Sequence, residues 1–297
     1  MKLELRTAGS CVHPEHIVLR TRSLRPMDFP AGYAILEHPK EGLSLFDTGY
    51  GDAFFEATQR FPERAYRWIT PVTFDPTMSA RAAVEKRGAK ASDVRRVIVS
   101  HFHGDHVGAL RDFPRAEFVF LPSAAAAVRS RSRLGGLLKG FLPALLPQDF
   151  SDRARPLRGE EVLLPDDCAP FRHGIDVFGD RSAIAVALPG HARGQLGLVV
   201  QADDARYFLV GDACWTSRSY RGPVEPHPIA RLIIDDSREY RATLQAIHAL
   251  HRRTSDLRIV PSHCTEALGR YGVARGHGYD PGHDEGQSLA DKYAASV

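Results

Sequence analysis

The chain has 297 residues, 43% of them hydrophobic, and a formal net charge of only +3. That is enough apolar material for one large core, since sheet-rich domains commonly run to roughly 200–250 residues. The small net charge gives no global case for nucleic-acid binding, and no stretch approaches the ~18 consecutive apolar residues of a membrane span. In chain order, residues 2–7 alternate charged and apolar side chains and predict a strand. No apolar signal-peptide core is visible near the start, so a cytoplasmic protein is expected. Strands follow at 32–37, 43–47 and 97–100, with a helix over 80–87 capped by Ser79 and stopped at Gly88. Further strands are predicted at 117–121, 174–178, 183–188, 195–201, 206–210 and 257–260. Further helices are predicted at 123–132 and at 238–252, the latter capped by Ser237. Residues Ala202 to Ala205 read as a hairpin turn. The order of strands and helices in each half argues for an α/β (α+β) fold, two sheets packed together with helices outside.

The densest chemical signal is Ser100-His101-Phe102-His103-Gly104-Asp105-His106, directly after the apolar run Val97-Ile98-Val99. Imidazole and carboxylate are ligands that Zn²⁺ and its neighbours accept. His101 and His103 are two residues apart and share a side in extended chain, with Phe102 opposite. Gly104 permits the turn that aims Asp105 and His106 at a second position nearby. A lone histidine is most often a surface or satisfied core residue, but four ligand types packed this tightly reverse those odds. Three more apolar runs end in a ligand type: Leu188-Pro189-Gly190-His191, Val210-Gly211-Asp212 and Val260-Pro261-Ser262-His263. Loops at strand ends are where catalytic groups gather on a rigid scaffold.

In this order the pattern H-x-H-x-D-H, G-H, G-D and a final H resembles the metallo-β-lactamase-fold hydrolases, over about residues 30–265. The resemblance implies a four-layer αβ/βα sandwich, with two mixed sheets packed face to face. It implies that His101, His103 and His191 hold one divalent ion, that Asp105, His106 and His263 hold another, and that Asp212 bridges them. Zinc is the first expectation, with manganese or iron as alternatives. Asp47, in Asp47-Thr48-Gly49, resembles the carboxylate that orients the ligand loop from behind. The family's G-H-T-x-G-H stands here as Gly190-His191-Ala192-Arg193-Gly194-Gln195, so Gln195 replaces a supporting histidine.

Among members of that family the chain is nearest to the N-acyl-homoserine lactonases. Class B β-lactamases usually lack the bridging carboxylate that Asp212 supplies. Glyoxalase II-type thioesterases carry a longer helical region after the last ligand. The lactonases place a tyrosine three residues after the bridging aspartate, where this chain has Trp215. The expected chemistry is hydrolysis: a metal-bridging hydroxide attacks a carbonyl carbon, with Asp105 orienting the water and carrying its proton. The expected partner is a small molecule with a hydrolysable carbonyl, a lactone or carboxylic ester first. The alternatives are a thioester, a β-lactam, or a non-catalytic metal-binding protein. No nucleic acid and no membrane span are expected, and a homodimer is allowed.

The segment 134–150 is apolar but broken by Gly and Pro. It reads either as a cover on the site whose Leu137, Leu138 and Phe141 line an acyl pocket beside Trp215, or as a core-packing loop or subunit contact. Arg129, Arg131 and Arg133 read as a solvated helix end. Cys11, Cys168, Cys214 and Cys264 show no close spacing and predict reduced thiols rather than a disulfide framework. The whole of 1–297 is expected to form one domain, with 269–297 as a surface tail carrying His277 and His283.

Overall fold

The computed structural model describes residues 1–272. In the first half run β1 (Lys2–Pro14), α1 (Glu15–Leu19), β2 (Pro26–His38), β3 (Gly42–Phe46), α2 (Asp52–Ala57) and α3 (Arg64–Ile69). Then come β4 (Val72–Thr73), α4 (Ala80–Lys86), β5 (Val94–Ile98), α5 (Gly104–Val107), β6 (Glu117–Phe120), α6 (Pro122–Ser130), α7 (Arg133–Leu138), α8 (Phe150–Arg153) and β7 (Ala154–Pro156). The second half holds β8 (Glu161–Leu163), β9 (His173–Asp176), β10 (Ala183–Ala187), β11 (Leu196–Gln201) and β12 (Arg206–Gly211). It ends with α9 (Ser217–Arg221), α10 (Ser237–Arg253), β13 (Leu257–Pro261) and α11 (Thr265–Tyr271).

The strands make two mixed sheets. One has the order β4-β1-β2-β3-β5-β6-β7, the other β13-β12-β11-β10-β9-β8. The parallel pairs are β3/β5, β5/β6 and β6/β7 in the first and β12/β13 in the second. Side chains alternate across each strand, so every central strand feeds two cores. Ala34, Leu36, Phe46 and Ile98 of the first sheet meet Ala185, Leu198, Leu209 and Val260 of the second in a shared inner core. Tyr33, Ile35, Leu45 and Val97 face outward under α2 and α4, while Phe208, Val210 and Ile259 face outward under α10. Two sheets face to face with helices on both outer faces is the architecture expected from the sequence.

Several boundaries differ from expectation. β1 runs on to Pro14 through a bulge between Thr7 and Ser10, and β2 begins at Pro26, so this pair is far longer than the predicted 2–7 and 32–37. The cap of α10 is Asp236, whose carboxylate accepts from the amides of Arg238 and Glu239, rather than Ser237. Ser79 caps α4 as expected, accepting from the Ala82 amide at 3.1 Å. The Ala202–Ala205 hairpin closes through the Ala202 amide on the Ala205 carbonyl at 3.0 Å. Arg129 and Arg133 are exposed at the helix ends as expected, while Arg131 is half-buried; Arg131 pairs with Asp235 and Arg133 with Glu63. All four cysteines are free and buried. Residues 269–271 belong to α11 rather than a tail, and His277 and His283 lie outside the described residues.

Candidate metal centre

Five strand ends open on one side of the two sheets and carry the chemistry. Asp47 follows β3, the His101–His106 loop follows β5, His191 follows β10, Asp212 follows β12 and His263 follows β13. The sheets are locked together here: the Leu196 amide donates to the Ser100 carbonyl at 3.0 Å, and the Gly32 amide to the Ser262 carbonyl at 3.0 Å. His101, His103, His106, His191, Asp212 and His263 are all buried, and Asp105 keeps a little of its side chain exposed.

Their donor atoms converge. His101, His103 and His191 form one group whose ligand atoms lie within 4.8 Å of one another. Asp105, His106 and His263 form a second such group, and His101, His106 and Asp212 a third that joins the two. Asp212 touches both sides: Oδ2 lies 3.3 Å from His191 Nε2 and 3.1 Å from His263 Nε2, while Oδ1 lies 3.2 Å from His106 Nε2. His263 Nε2 is 3.4 Å from Asp105 Oδ2. The structure thus brings together all seven residues singled out as ligands.

The supporting contacts fix which nitrogen of His101, His106 and His263 faces inward. Asp47 accepts from the Ser100 amide, the Ser100 hydroxyl and His106 Nδ1, each at 2.7 Å. With the Ser100 proton committed to Asp47, the Ser100 oxygen accepts from His101 Nδ1 at 3.0 Å. One buried carboxylate therefore sets His106 directly and His101 through a serine. Asp47 reaches this position in a left-handed conformation, φ 59°, which aspartate tolerates better than most side chains. On the other sheet His263 Nδ1 donates to the Pro30 carbonyl at 2.8 Å, and Trp215 Nε1 donates to Asp212 Oδ2 at 3.1 Å.

What remains is a set of inward-facing donors with nothing to bind. His101 Nε2, His106 Nε2 and Asp212 Oδ1 are buried without a hydrogen-bond partner. Orphaned buried polar atoms are costly, and lone pairs converging from rings and a carboxylate are the donor set of a divalent cation. The residues present therefore fit a metal pair. The electrostatics agree. Burial, with neighbouring imidazoles adding to it, holds His101 and His103 well below the ordinary histidine value, in the neutral form that ligates. Burial also depresses His191. For His106 and His263 burial works the same way, but Asp212 and Asp105 outweigh it and raise both. Burial would raise Asp212, yet His263 and His106 hold it well below the usual carboxylate range. Asp212 thus favours positive charge around it, which a bound cation would supply.

The other predicted residues are divided. Gln195 is fully buried behind β12, its amide 3.5 Å from the Val210 carbonyl and its own oxygen unpartnered. Trp215 stands beside the cluster, its ring centroid 6.0 Å from that of His191. Phe141 is buried in the outer core of the first sheet with Leu142 and Leu145, so this part of segment 134–150 packs under the ligand loop. Leu137 is partly buried against the same core, and Leu138 is 67% exposed. Gly140 is what brings the segment to the site: a Cβ there would sit 3.0 Å from the His103 ring.

Sequence reasoning missed Ser100, the Pro30 carbonyl and Phe29. The signal for Ser100 was its place between the strand and the first histidine. Phe29 lies 5.4 Å from the His263 ring and 6.1 Å from Trp215, and His13 stacks on it edge-on at 5.4 Å. Residues 29 and 13 lie on a long strand pair whose extent the sequence did not reveal.

Comparison with known proteins finds a family model, curated relatives and solved structures of the same fold. A family model described as the metallo-beta-lactamase superfamily matches residues 72–263. A probable metallo-hydrolase of Mycobacterium tuberculosis is 28% identical over 244 residues, covering 78% of this chain and 74% of that protein. An N-acyl homoserine lactonase of Azorhizobium caulinodans is 27% identical over 268 residues, covering 85% and 88%. Among solved structures, an N-acyl homoserine lactone hydrolase with N-hexanoyl-L-homoserine bound at its catalytic metal center superposes with a TM-score of 0.67. It is 17% identical and covers 91% of this chain and 95% of that one.

Proposed function

Because the chain belongs to the metallo-beta-lactamase superfamily, we propose that it is a binuclear metallo-hydrolase acting on a lactone or carboxylic ester. The observation that carries this reading is Asp212, whose two oxygens reach ligand nitrogens of both histidine groups. The lactonase relatives support the substrate class.

His101, His103 and His191 would hold one ion and Asp105, His106 and His263 the other, with Asp212 shared. Zinc suits the imidazole-rich set. When bound, such ions lower the pKa of water to near neutrality and polarise a carbonyl oxygen. The remaining work falls to the chain. Asp47 and Ser100 keep His106 and His101 in the tautomers whose Nε2 faces the site. Trp215 Nε1 holds one oxygen of Asp212 in place. Asp105 is the one carboxylate of the cluster with an exposed edge. It can accept a proton from the attacking water and return it to the leaving oxygen. Trp215 offers apolar surface beside this polar floor, which suits a substrate with an apolar acyl arm.

The test is a hydrolysis screen of metal-loaded protein over lactones, aryl esters, thioesters and β-lactams, paired with metal analysis. The expected result is about two ions per chain and lactone or ester turnover that rises with acyl length. Each buried CH₂ contributes ~0.8 kcal/mol. One ion per chain under metal-replete conditions would defeat the binuclear reading. Preference for a glutathione thioester or a β-lactam would defeat the substrate assignment and leave the metal centre standing.

A further inference from the structure

Ten large hydrophobic side chains stand exposed among the described residues, and seven of them fall on three short segments. Phe61, Trp68 and Ile69 lie at and just before α3. Leu134 and Leu138 lie one turn apart on α7. Ile229 and Leu232 lie on the turn at 228–232.

These segments are tied to one another. Glu63, immediately before α3, accepts a forked pair of hydrogen bonds from Arg133 at the head of α7, at 2.5 and 2.7 Å. Arg131 donates to both oxygens of Asp235, and Lys139 donates to the Ile234 carbonyl at 2.8 Å. The three segments therefore make one rim. The rim abuts the metal centre, since Gly140 lies against His103 and the Asp235 amide donates to the His191 carbonyl at 3.0 Å. It is not part of the ligand set and does not depend on it.

An exposed apolar surface of this kind marks a contact with something else, and the charges around it say what. Arg133 and Arg131 consume Glu63 and Asp235. Arg60, Arg64, Arg67, Arg129 and Arg231, on or beside the same segments, make no ion pair among the described residues, so the rim is apolar and basic together. A second copy of the chain would set this surface against itself across a two-fold axis and bring arginines against arginines. An anionic lipid surface complements both properties. Its headgroups pair with the arginines, and its interfacial layer accepts Trp and Leu side chains to a shallow depth. No helix among the described residues is long and apolar enough to cross a membrane, so attachment of this kind would be to the surface only. We infer that the rim formed by α3, α7 and residues 228–232 docks the protein on anionic lipid, holding the metal cleft at the lipid–water boundary.

The experiment is co-sedimentation of the purified protein with vesicles, read alongside sedimentation of the protein alone. One set is phosphatidylcholine, the other phosphatidylcholine with about one third phosphatidylglycerol. Partitioning onto the anionic vesicles should exceed that onto the neutral ones by ~10-fold or more, and should fall as salt is raised. The pair Trp68→Ala/Leu232→Ala and, separately, the pair Arg64→Ala/Arg231→Ala should each reduce it by roughly 5-fold or more. All four side chains are exposed, and a circular-dichroism melt checks that each variant is folded. The protein alone should sediment as a monomer. No difference between the two vesicle types, no binding, or a dimer that Trp68→Ala/Leu232→Ala dissociates would overturn the inference. Because nothing is hydrolysed in this assay, its outcome is separate from the substrate assignment.

Discussion

The first sheet delivers four ligand residues in one loop, His101 to His106, whereas the second delivers three from three separate strand ends. The two sides are also held differently. The first loop is fixed by side chains, through the Asp47–Ser100–His106 network. On the second, Asp212 and His263 each keep a single side-chain hydrogen bond, to Trp215 and the Pro30 carbonyl, and His191 is fixed by backbone proximity. Gly190, next to His191, adopts φ 126° against the start of α10, where a Cβ would lie 2.1 Å from the Tyr240 nitrogen. The Asp236 amide donates to the Gly190 carbonyl at 2.9 Å, and Thr243 Oγ1 to that of Pro189 at 2.7 Å. A polar network can be weakened while the fold stands. A backbone contact of this closeness cannot be relaxed without moving a helix.

Substitutions on the two sides should therefore fail in different ways. The largest effect is expected from Gly190→Ala, which meets the backbone of α10 and is also strained at its φ. It should cost about 3 kcal/mol or more of stability, read by urea unfolding, and should lose metal only as a consequence. An unchanged midpoint would show that α10 yields easily, and the contrast between the sheets would collapse. Next, Asp105→Asn keeps the size of the side chain but removes its charge and its capacity to take a proton. Turnover should fall by a factor on the order of 10² or more with the melting temperature little changed. Near wild-type rates on every substrate cleaved would remove Asp105 from the chemistry.

Asp47→Asn addresses the polar network itself. It cannot accept as Asp47 does from both Ser100 and His106, so metal affinity should drop roughly 10–100-fold while the fold persists. Chelator competition measures the first and thermal unfolding the second. Loss of folding instead of affinity would mean that both sheets are held alike.

The smallest effect sharpens the comparison from outside the site. Asp112, on the first half of the chain, is pushed up to about 6 by burial, with Asp52, Glu85 and Glu56 adding to it and Arg81 opposing. A carboxyl whose folded value is raised contributes stability that is complete below pH ~4 and is lost as the pH rises through 6. Asp112→Asn should therefore stabilise the protein at pH 7.5 by roughly 1–2 kcal/mol, after discounting for partial exposure, and give no gain at pH 3.5. Equal effects at both pH values would show that packing rather than charge is at stake.

The same contrast explains what could be read without coordinates. The H-x-H-x-D-H loop was legible because its ligands are contiguous, and Asp47 because it opens a D-T-G turn. His191, Asp212 and His263 were weak signals singly and became legible only in series after apolar strands. The layered fold followed from the strand order and from short apolar runs such as Leu196 to Val200. What escaped had no local mark. The long β1/β2 pair passes through Gly9 and Pro30, residues that usually end strands. The roles of Arg131 and Arg133 depend on partners 104 and 70 residues away. The broken segment 134–150 could not be divided by inspection into Phe141, which packs inward, and Leu138, which faces out.

The placement of the two tryptophans has a practical consequence. The chain has only these two, and they fall in different places: Trp215 with its indole on Asp212 and beside His191, Trp68 60% exposed on the rim. The protein thus carries an intrinsic fluorophore at each location. Trp68→Phe leaves emission that reports only the metal cluster, quenched as a coloured ion such as cobalt fills it. Trp215→Phe leaves emission that reports only the rim, shifting to the blue as the indole leaves water. Occupancy of the cleft and attachment of the rim can then be titrated independently, without any substrate present.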